Sequence, residues 1–275
     1  MRPSDLLVRM MSPEQKLAVR RFLYTTRLPL PLRLRITGAL SRAHEKFALV
    51  APDLSYVYVQ VPKAASSTVK RQLWTLTGRR IDDGSTMRLH REAGGHLLLP
   101  DLTSRQIRTV LKGDGAFRFT FVRNPYDRLG SAYRDKVLNA AGLHPEGYDH
   151  GLALAGGEKP GFDAFVRAVA ATDDERCDVH WMSQHRCGLF DIVDFHHVGR
   201  VETFQADMRL ILARIAGPEA ADARLAGVNV SRIPFDQQGA RDAIGFTEEL
   251  AELAFRRFQR DFELFGYDQA SYARA

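Results

Sequence analysis

Two short stretches of the chain hold residues whose types and spacing suit anion chemistry. In the first, YVYVQVPKAASSTVKR (residues 56–71), Lys63 is followed by Ala64, Ala65 and the hydroxyl cluster Ser66, Ser67 and Thr68. A lysine supplies a mobile point charge, the hydroxyls supply donors, and the two alanines let the backbone come close to a ligand. If a helix begins at Ser66, its first N–H groups have no intrahelical partner, and a helix N-terminus of this kind receives an anion. In the second stretch, FVRNPYDRLGSAYRDKVL, Arg123 precedes Ser131 by eight residues. An arginine–serine pair suits a compact phosphate monoester, because the guanidinium fork matches its oxygens.

The elements that must position these groups are legible around them. YVYVQV and FRFTFVR (117–123) alternate β-branched and aromatic residues and predict strands. Helices are predicted from Ser66 to about Leu76, over 104–112, and from Pro125 through PYDRLGSAYRDKVL, with proline in the first turn. Further helices are expected over 12–26, FDAFVRAVAA, ETFQADMRLILARIA and TEELAELAFRRFQRDFELFG, and a third strand within FDIVDFHHVGRV (190–201). LPLPLRLR (28–35) reads as a connector, and residues 78–95 and 139–161 as long surface loops. Strands separated by helices predict an α/β fold with a central, mostly parallel sheet flanked by helices, P-loop-like in outline. Ligands of such sheets bind at the carboxyl ends of strands, so the turns after Val61 and Arg123 should face one edge.

Bulk properties narrow the classes. The 275 residues carry a net charge of +6, and residues 1–50 alone hold a surplus of seven positive charges. The basic character thus belongs to an N-terminal helical segment (1–46) ahead of the main domain (47–275). That segment suits either contact with a membrane surface or polyanion, or a solvated helical face and packing arm. A nucleic-acid binder is not expected, since no recognisable nucleic-acid motif accompanies the basic residues. No apolar run is long enough for a transmembrane helix, and no secretory leader is visible. Two cysteines make no disulfide scaffold, so a reducing cytoplasm is the default.

PKAASSTVKR resembles the 5′-phosphosulfate loop of sulfotransferases that use 3′-phosphoadenosine 5′-phosphosulfate (PAPS), and FTFVRNPYDRLGSAYRDKV resembles their 3′-phosphate motif. The SAYRDK form is similar to the carbohydrate sulfotransferases of the chondroitin 4-O type. GRVETF and DFELFGYD resemble later landmarks, so the likeness spans residues 47–268. It implies a sulfotransferase fold and transfer of sulfate from PAPS to a hydroxyl of a carbohydrate acceptor, leaving 3′,5′-ADP. It also implies that Lys63 and Ser66–Thr68 hold the 5′-phosphosulfate, while Arg123 and Ser131 hold the 3′-phosphate. A Walker pattern, GxxxxGK followed by Ser or Thr, is absent, and no metal is expected. A lipid or tyrosyl acceptor, or a module that binds nucleotide without chemistry, remains the alternative. Without the anchor of Golgi relatives, and with an Ala- and Arg-rich composition, a bacterial cytoplasmic enzyme is expected.

In-line transfer needs a base for the attacking hydroxyl, and Lys63 can neutralise the leaving oxygen. Nine histidines are available. His96, in GGHLLLP, resembles the histidine of heparan sulfate 2-O-sulfotransferases. His180, in DVHWMSQ, resembles an HWxPQ segment of the carbohydrate enzymes, with Ser183 in place of proline. His96 is the favoured base, with His180 the second candidate. His196 and His197 read as structural, and Glu202 as anchoring a turn. Cys177, His180, His185 and Cys187 also use zinc-type ligands at a non-standard spacing, or a Cys177–Cys187 disulfide could form; two ordinary thiols are the favoured reading.

Overall fold

A strand buried on both faces needs an unbroken run of residues that can leave water, and YVYV supplies it: all four residues are buried. The computed structural model describes residues 48–78, 92–138, 160–174, 177–219 and 245–274, together with Gln15 and Ala221. In chain order the elements are β1 (Ala48–Val50), β2 (Tyr56–Val59), α1 (Ser66–Leu76), β3 (Leu97–Leu98), α2 (Ser104–Lys112), β4 (Phe117–Val122) and α3 (Pro125–Tyr133). There follow α4 (Phe162–Ala170), α5 (Gln184–Cys187), β5 (His197–Arg200), α6 (Phe204–Ala216) and α7 (Glu248–Phe265). Contacts divide the chain into two compact units. One comprises residues up to 61, 65–121 and 188–228; the other comprises 62–64, 122–187 and 229–275.

The first unit carries the sheet, in the order β3-β1-β2-β4-β5. The α/β class is as expected. In detail the sheet is mixed: β1 pairs antiparallel with both β2 and β3, and β2 pairs parallel with β4 in the register Tyr56↔Phe117 to Val59↔Thr120. On one face Val57 and Val59 join Ala48 and Val50 against Ile107, Val110 and Leu111 of α2. On β2 the tyrosines alternate with these valines, and Tyr58 stacks on Phe119 with ring centroids 5.3 Å apart. Helix α2 starts where its sequence says it should. Thr103 accepts from the Gln106 N–H, and the Gln106 side chain accepts from the Thr103 N–H, a capping box. β1 and β3 are too short, at three and two residues, for alternation to reveal them, and the strand expected in 190–201 is confined to His197–Arg200.

The second unit is built on α3. Asn124 caps it by accepting from the Tyr126 N–H at 3.0 Å, and Pro125 takes the first helical position. Tyr126 is fully buried among Phe246, Phe262 and Tyr272, and Tyr133 packs on Phe162 and Phe165 of α4. The helix expected through Leu138 changes character after Tyr133, where Arg134–Leu138 form a π turn. Such bulges recur at functional sites. The helix expected over 12–26, the connector at 28–35 and most of both long loops lie outside the described residues. No helix among the described residues is long and apolar enough to cross a membrane.

Gly94 tests the packing of the first unit. Its φ is +60°, and a Cβ there would lie 1.9 Å from Nε1 of the buried Trp74. Gly94→Ala is expected to cost about 2–4 kcal/mol, combining backbone strain with overpacking. Gly78→Ala, with φ +73° but open space around it, should cost only about 1 kcal/mol. Urea unfolding of both variants measures the difference.

Candidate active site

The turn that joins β2 to α1 is held in an uncommon conformation. Lys63 and Ala65, neither a glycine, have φ of +67° and +58°. A left-handed residue costs roughly 1 kcal/mol or more, and turns of this kind point successive N–H groups into a shared concavity. Ala65 is the N-cap of α1 and offers no side-chain cap. The first-turn N–H groups are therefore not capped by it, and Ser66, Ser67 and Thr68 sit half-buried around them.

In the second unit Lys63 meets the groups that follow β4. Its Nζ lies 2.9 Å from Oδ2 of Asp135, on the π turn, and Lys136 approaches the same oxygen at 3.4 Å. Nη1 of Arg123 donates to the Lys63 carbonyl at 3.4 Å. The turns after β2 and β4 thus face the same edge, as expected for strands paired in parallel. Burial pushes the Lys63 ammonium below the ordinary lysine value; Asp135 opposes the shift, and Lys136 and Arg123 add to it. For Asp135 burial works upward, but Lys63 and then Lys136 bring its carboxyl below the usual range. Ser131 is half-buried on α3, in the same unit.

Arg128, which the sequence did not single out, ties this region together. It is 3% exposed. Its Nε donates to the Pro62 carbonyl at 2.8 Å, Nη1 to Met182 at 2.7 Å and Nη2 to Val179 at 3.2 Å, with Cys187 Sγ at 3.8 Å. One guanidinium therefore fixes both the residue before Lys63 and the residue before His180.

His180 lies in the same unit. Its Nδ1 is 2.5 Å from Oδ1 of Asp178, which also accepts from the His180 N–H. The carboxylate can only accept, so Nδ1 carries the proton and Nε2 is the basic nitrogen. Burial lowers the pKa of His180 below the ordinary value; Asp178 pulls it back up, and Lys136 and Lys63 lower it further. Ser183, where the resembled segment has proline, is put to use: its N–H and hydroxyl both donate to Asp174, which Arg257 grips at 2.5 Å. A proline has no N–H for that bond.

His96 belongs to the first unit and is 5% exposed. Nδ1 donates to the Ala93 carbonyl at 3.1 Å, and Nε2 accepts from the Tyr56 hydroxyl at 2.7 Å. Burial lowers its pKa, against the carbonyls of Ala93 and Gly94. Both ring nitrogens are therefore engaged in a neutral imidazole. Of the remaining candidates, His197 bonds Asp207, which also accepts from the Arg200 N–H and the Thr203 hydroxyl. Asp207 therefore anchors the turn in which Glu202 stands exposed. His185 bonds Asp261, Cys177 and Cys187 are buried free thiols with pKa pushed up to about 12 by burial, and no metal-binding group of three or more His, Cys, Asp or Glu occurs among the described residues.

The family model described as "Sulfotransferase family" matches residues 47–268. The chain belongs to the sulfotransferase family. Human carbohydrate sulfotransferase 14 is 32% identical over 180 residues, 62% of this chain and 46% of that protein. Carbohydrate sulfotransferase 10 of Xenopus laevis is 26% identical over 247 residues, 78% of this chain and 66% of its own length. Human carbohydrate sulfotransferase 8 is 29% identical over 200 residues, 66% of this chain and 45% of its own. The chain spans about half the length of the carbohydrate sulfotransferase 14 proteins it matches. No solved structure matches it.

Replacing Arg128 by lysine would leave an ammonium that cannot span three separated carbonyls. We expect Arg128→Lys to lose about 2–4 kcal/mol, given ~1.5–3 kcal/mol for a charged hydrogen bond and a partial rescue by lysine. Arg167→Lys, at a solvent-exposed pairing with Asp163 and Glu249, should leave stability nearly unchanged, since solvent screens the pair. Chemical denaturation compares the two.

Proposed function

We propose that this chain transfers a sulfuryl group from PAPS to a hydroxyl of a carbohydrate. The observation that carries the reading is the meeting of Lys63 and Arg123, each leaving one of two adjacent parallel strands, within the family's two phosphate motifs. The turn from Lys63 through Ala64 and Ala65 to Ser66, Ser67 and Thr68 receives the 5′-phosphosulfate. Arg123 and Ser131 receive the 3′-phosphate. Lys63, Lys136 and Arg123 gathered about Asp135 give the Lys63 region the sign that such a donor requires. The carbohydrate acceptor is supported by the names of the relatives.

In the reaction the acceptor oxygen forms a bond to sulfur as the bond from sulfur to the bridging phosphate oxygen breaks. The acceptor proton passes to a base, and the charge gathering on the leaving oxygen is met by the Lys63 ammonium. His180 is our choice of base, because Asp178 fixes its tautomer and presents Nε2 as the basic nitrogen. His96 would first have to give up the Tyr56 hydroxyl.

Calorimetric titration with 3′,5′-ADP, 5′-AMP and ATP–magnesium tests the donor. Clear preference for 3′,5′-ADP is expected, and preference for ATP–magnesium would overturn the assignment. With PAPS and a panel of glycan, lipid and tyrosyl acceptors, sulfation of glycans is expected; sulfation confined to another arm reassigns the acceptor, and none with nucleotide still bound points to a non-catalytic module.

His180→Ala should lower turnover by about 10²–10⁴-fold without loss of 3′,5′-ADP binding. Because Asp178 raises the His180 pKa, Asp178→Asn should move the acid limb of the kcat/KM profile to lower pH. Full activity in His180→Ala, with loss in His96→Ala, would transfer the role to His96.

A further inference from the structure

Gln184 is completely buried, and its side-chain amide is spent on the backbone of one residue. Its Oε1 accepts from the Arg123 N–H at 2.9 Å, and its Nε2 donates to the Arg123 carbonyl at 2.8 Å. Arg123 is the first residue beyond β4, where the sheet ladder has stopped. The amide there does what a neighbouring strand would do, pairing one N–H and one C=O of a single residue. Fixing the peptide groups on both sides of a Cα fixes the direction of its Cβ, and so the origin of the side chain.

Gln184 is itself anchored. Asp261 of α7, with no exposed surface, accepts from the Gln184 N–H at 2.6 Å and from the His185 N–H at 2.9 Å; it also accepts from the His185 ring at Nδ1, at 2.7 Å. A buried amide is costly unless both its halves are bonded, and a buried carboxylate more so. Packing alone would be served by an apolar residue at position 184. The chain instead keeps a relay of hydrogen bonds from its last long helix to the backbone of Arg123.

We propose that Gln184, held by Asp261, is a positioning residue that aims Arg123 at the ribose 3′-phosphate and so sets discrimination between nucleotides with and without that group. The inference rests on the reading of Arg123 given under Proposed function. It assigns to Gln184 no contact with the ligand: its effect passes through the Arg123 backbone. Substitution should therefore weaken ligands that engage the Arg123 guanidinium and leave others nearly untouched.

The test compares dissociation constants of 3′,5′-ADP and 5′-AMP for the wild type, Gln184→Met and Gln184→Glu, at one salt concentration. Methionine keeps the length and loses both bonds; glutamate keeps the acceptor for the Arg123 N–H and loses the donor. For Gln184→Met, 3′,5′-ADP binding should weaken about 10-fold or more, the scale of one or two hydrogen bonds. Binding of 5′-AMP should change by less than about 2-fold, so their ratio collapses; Gln184→Glu should fall between, and serves alone if the methionine variant does not fold. An unchanged ratio, or equal weakening of both nucleotides, overturns the inference. If the wild type itself fails to prefer 3′,5′-ADP, it is the reading of Arg123 that fails, and the inference falls with it.

Discussion

A guanidinium buried away from water and bonded to carbonyl oxygens is the constraint on which the second unit depends. Isolating such a charge is expensive, and the expense is offset only if its nitrogens find acceptors. Arg128 satisfies this with the carbonyls of Pro62, Val179 and Met182. Carbonyl oxygens are dipoles and not counter-charges, so the cation keeps its field. The same three bonds clamp the turn that carries Lys63 to the segment that carries His180. A lysine in this place would have one donor centre where three directions are needed.

The contacts around Lys63 are of a weaker kind, and the difference matters for chemistry. The Asp135 side chain is 48% exposed and that of Lys63 17%, so the pair is partly screened and contributes on the order of 0–1 kcal/mol. It orients the ammonium and opposes the downward push of burial on its pKa. It does not hold the ammonium so firmly that an arriving anion could not compete. Rigidity is thus placed in the backbone anchors, Arg128 and the Gln184 amide, and adaptability in the Lys63 ammonium.

The sequence disclosed the two turns because each joins an alternating strand to a helix with its own start signal. Ser66 after two alanines and Pro125 after Asn124 mark helix starts that the structure places within a residue. The supports of those turns were hidden for physical reasons. Arg128 on α3 and Asp261 on α7 do not stand out in the sequence, since periodicity cannot distinguish a buried charge with partners from an exposed one. Their partners are backbone groups of residues distant in the chain, and backbone groups leave no trace in composition. Asp178 was nearer to being legible: an aspartate two residues before a histidine can bond both its N–H and its ring. The π turn was not legible, because a sequence that continues the helical pattern gives no sign of the extra residue that brings Asp135 to Lys63.

Ser183 shows how hydrogen bonds can fix a segment where a proline is absent. A proline would stiffen this segment by restricting φ; the serine reaches an equivalent end by bonding. Its N–H and hydroxyl both donate to Asp174, and Arg257 closes the network by donating to the serine hydroxyl at 2.9 Å and to Asp174. The aspartate is thereby held below its usual carboxylate range: burial works upward, but the arginine and the serine donors prevail. The segment is fixed by charge, with His180 before Ser183 and Gln184 after it each tied to its own carboxylate. Three separate aspartates, at 174, 178 and 261, therefore hold the backbone of this segment by accepting from the N–H groups of Ser183, His180, Gln184 and His185.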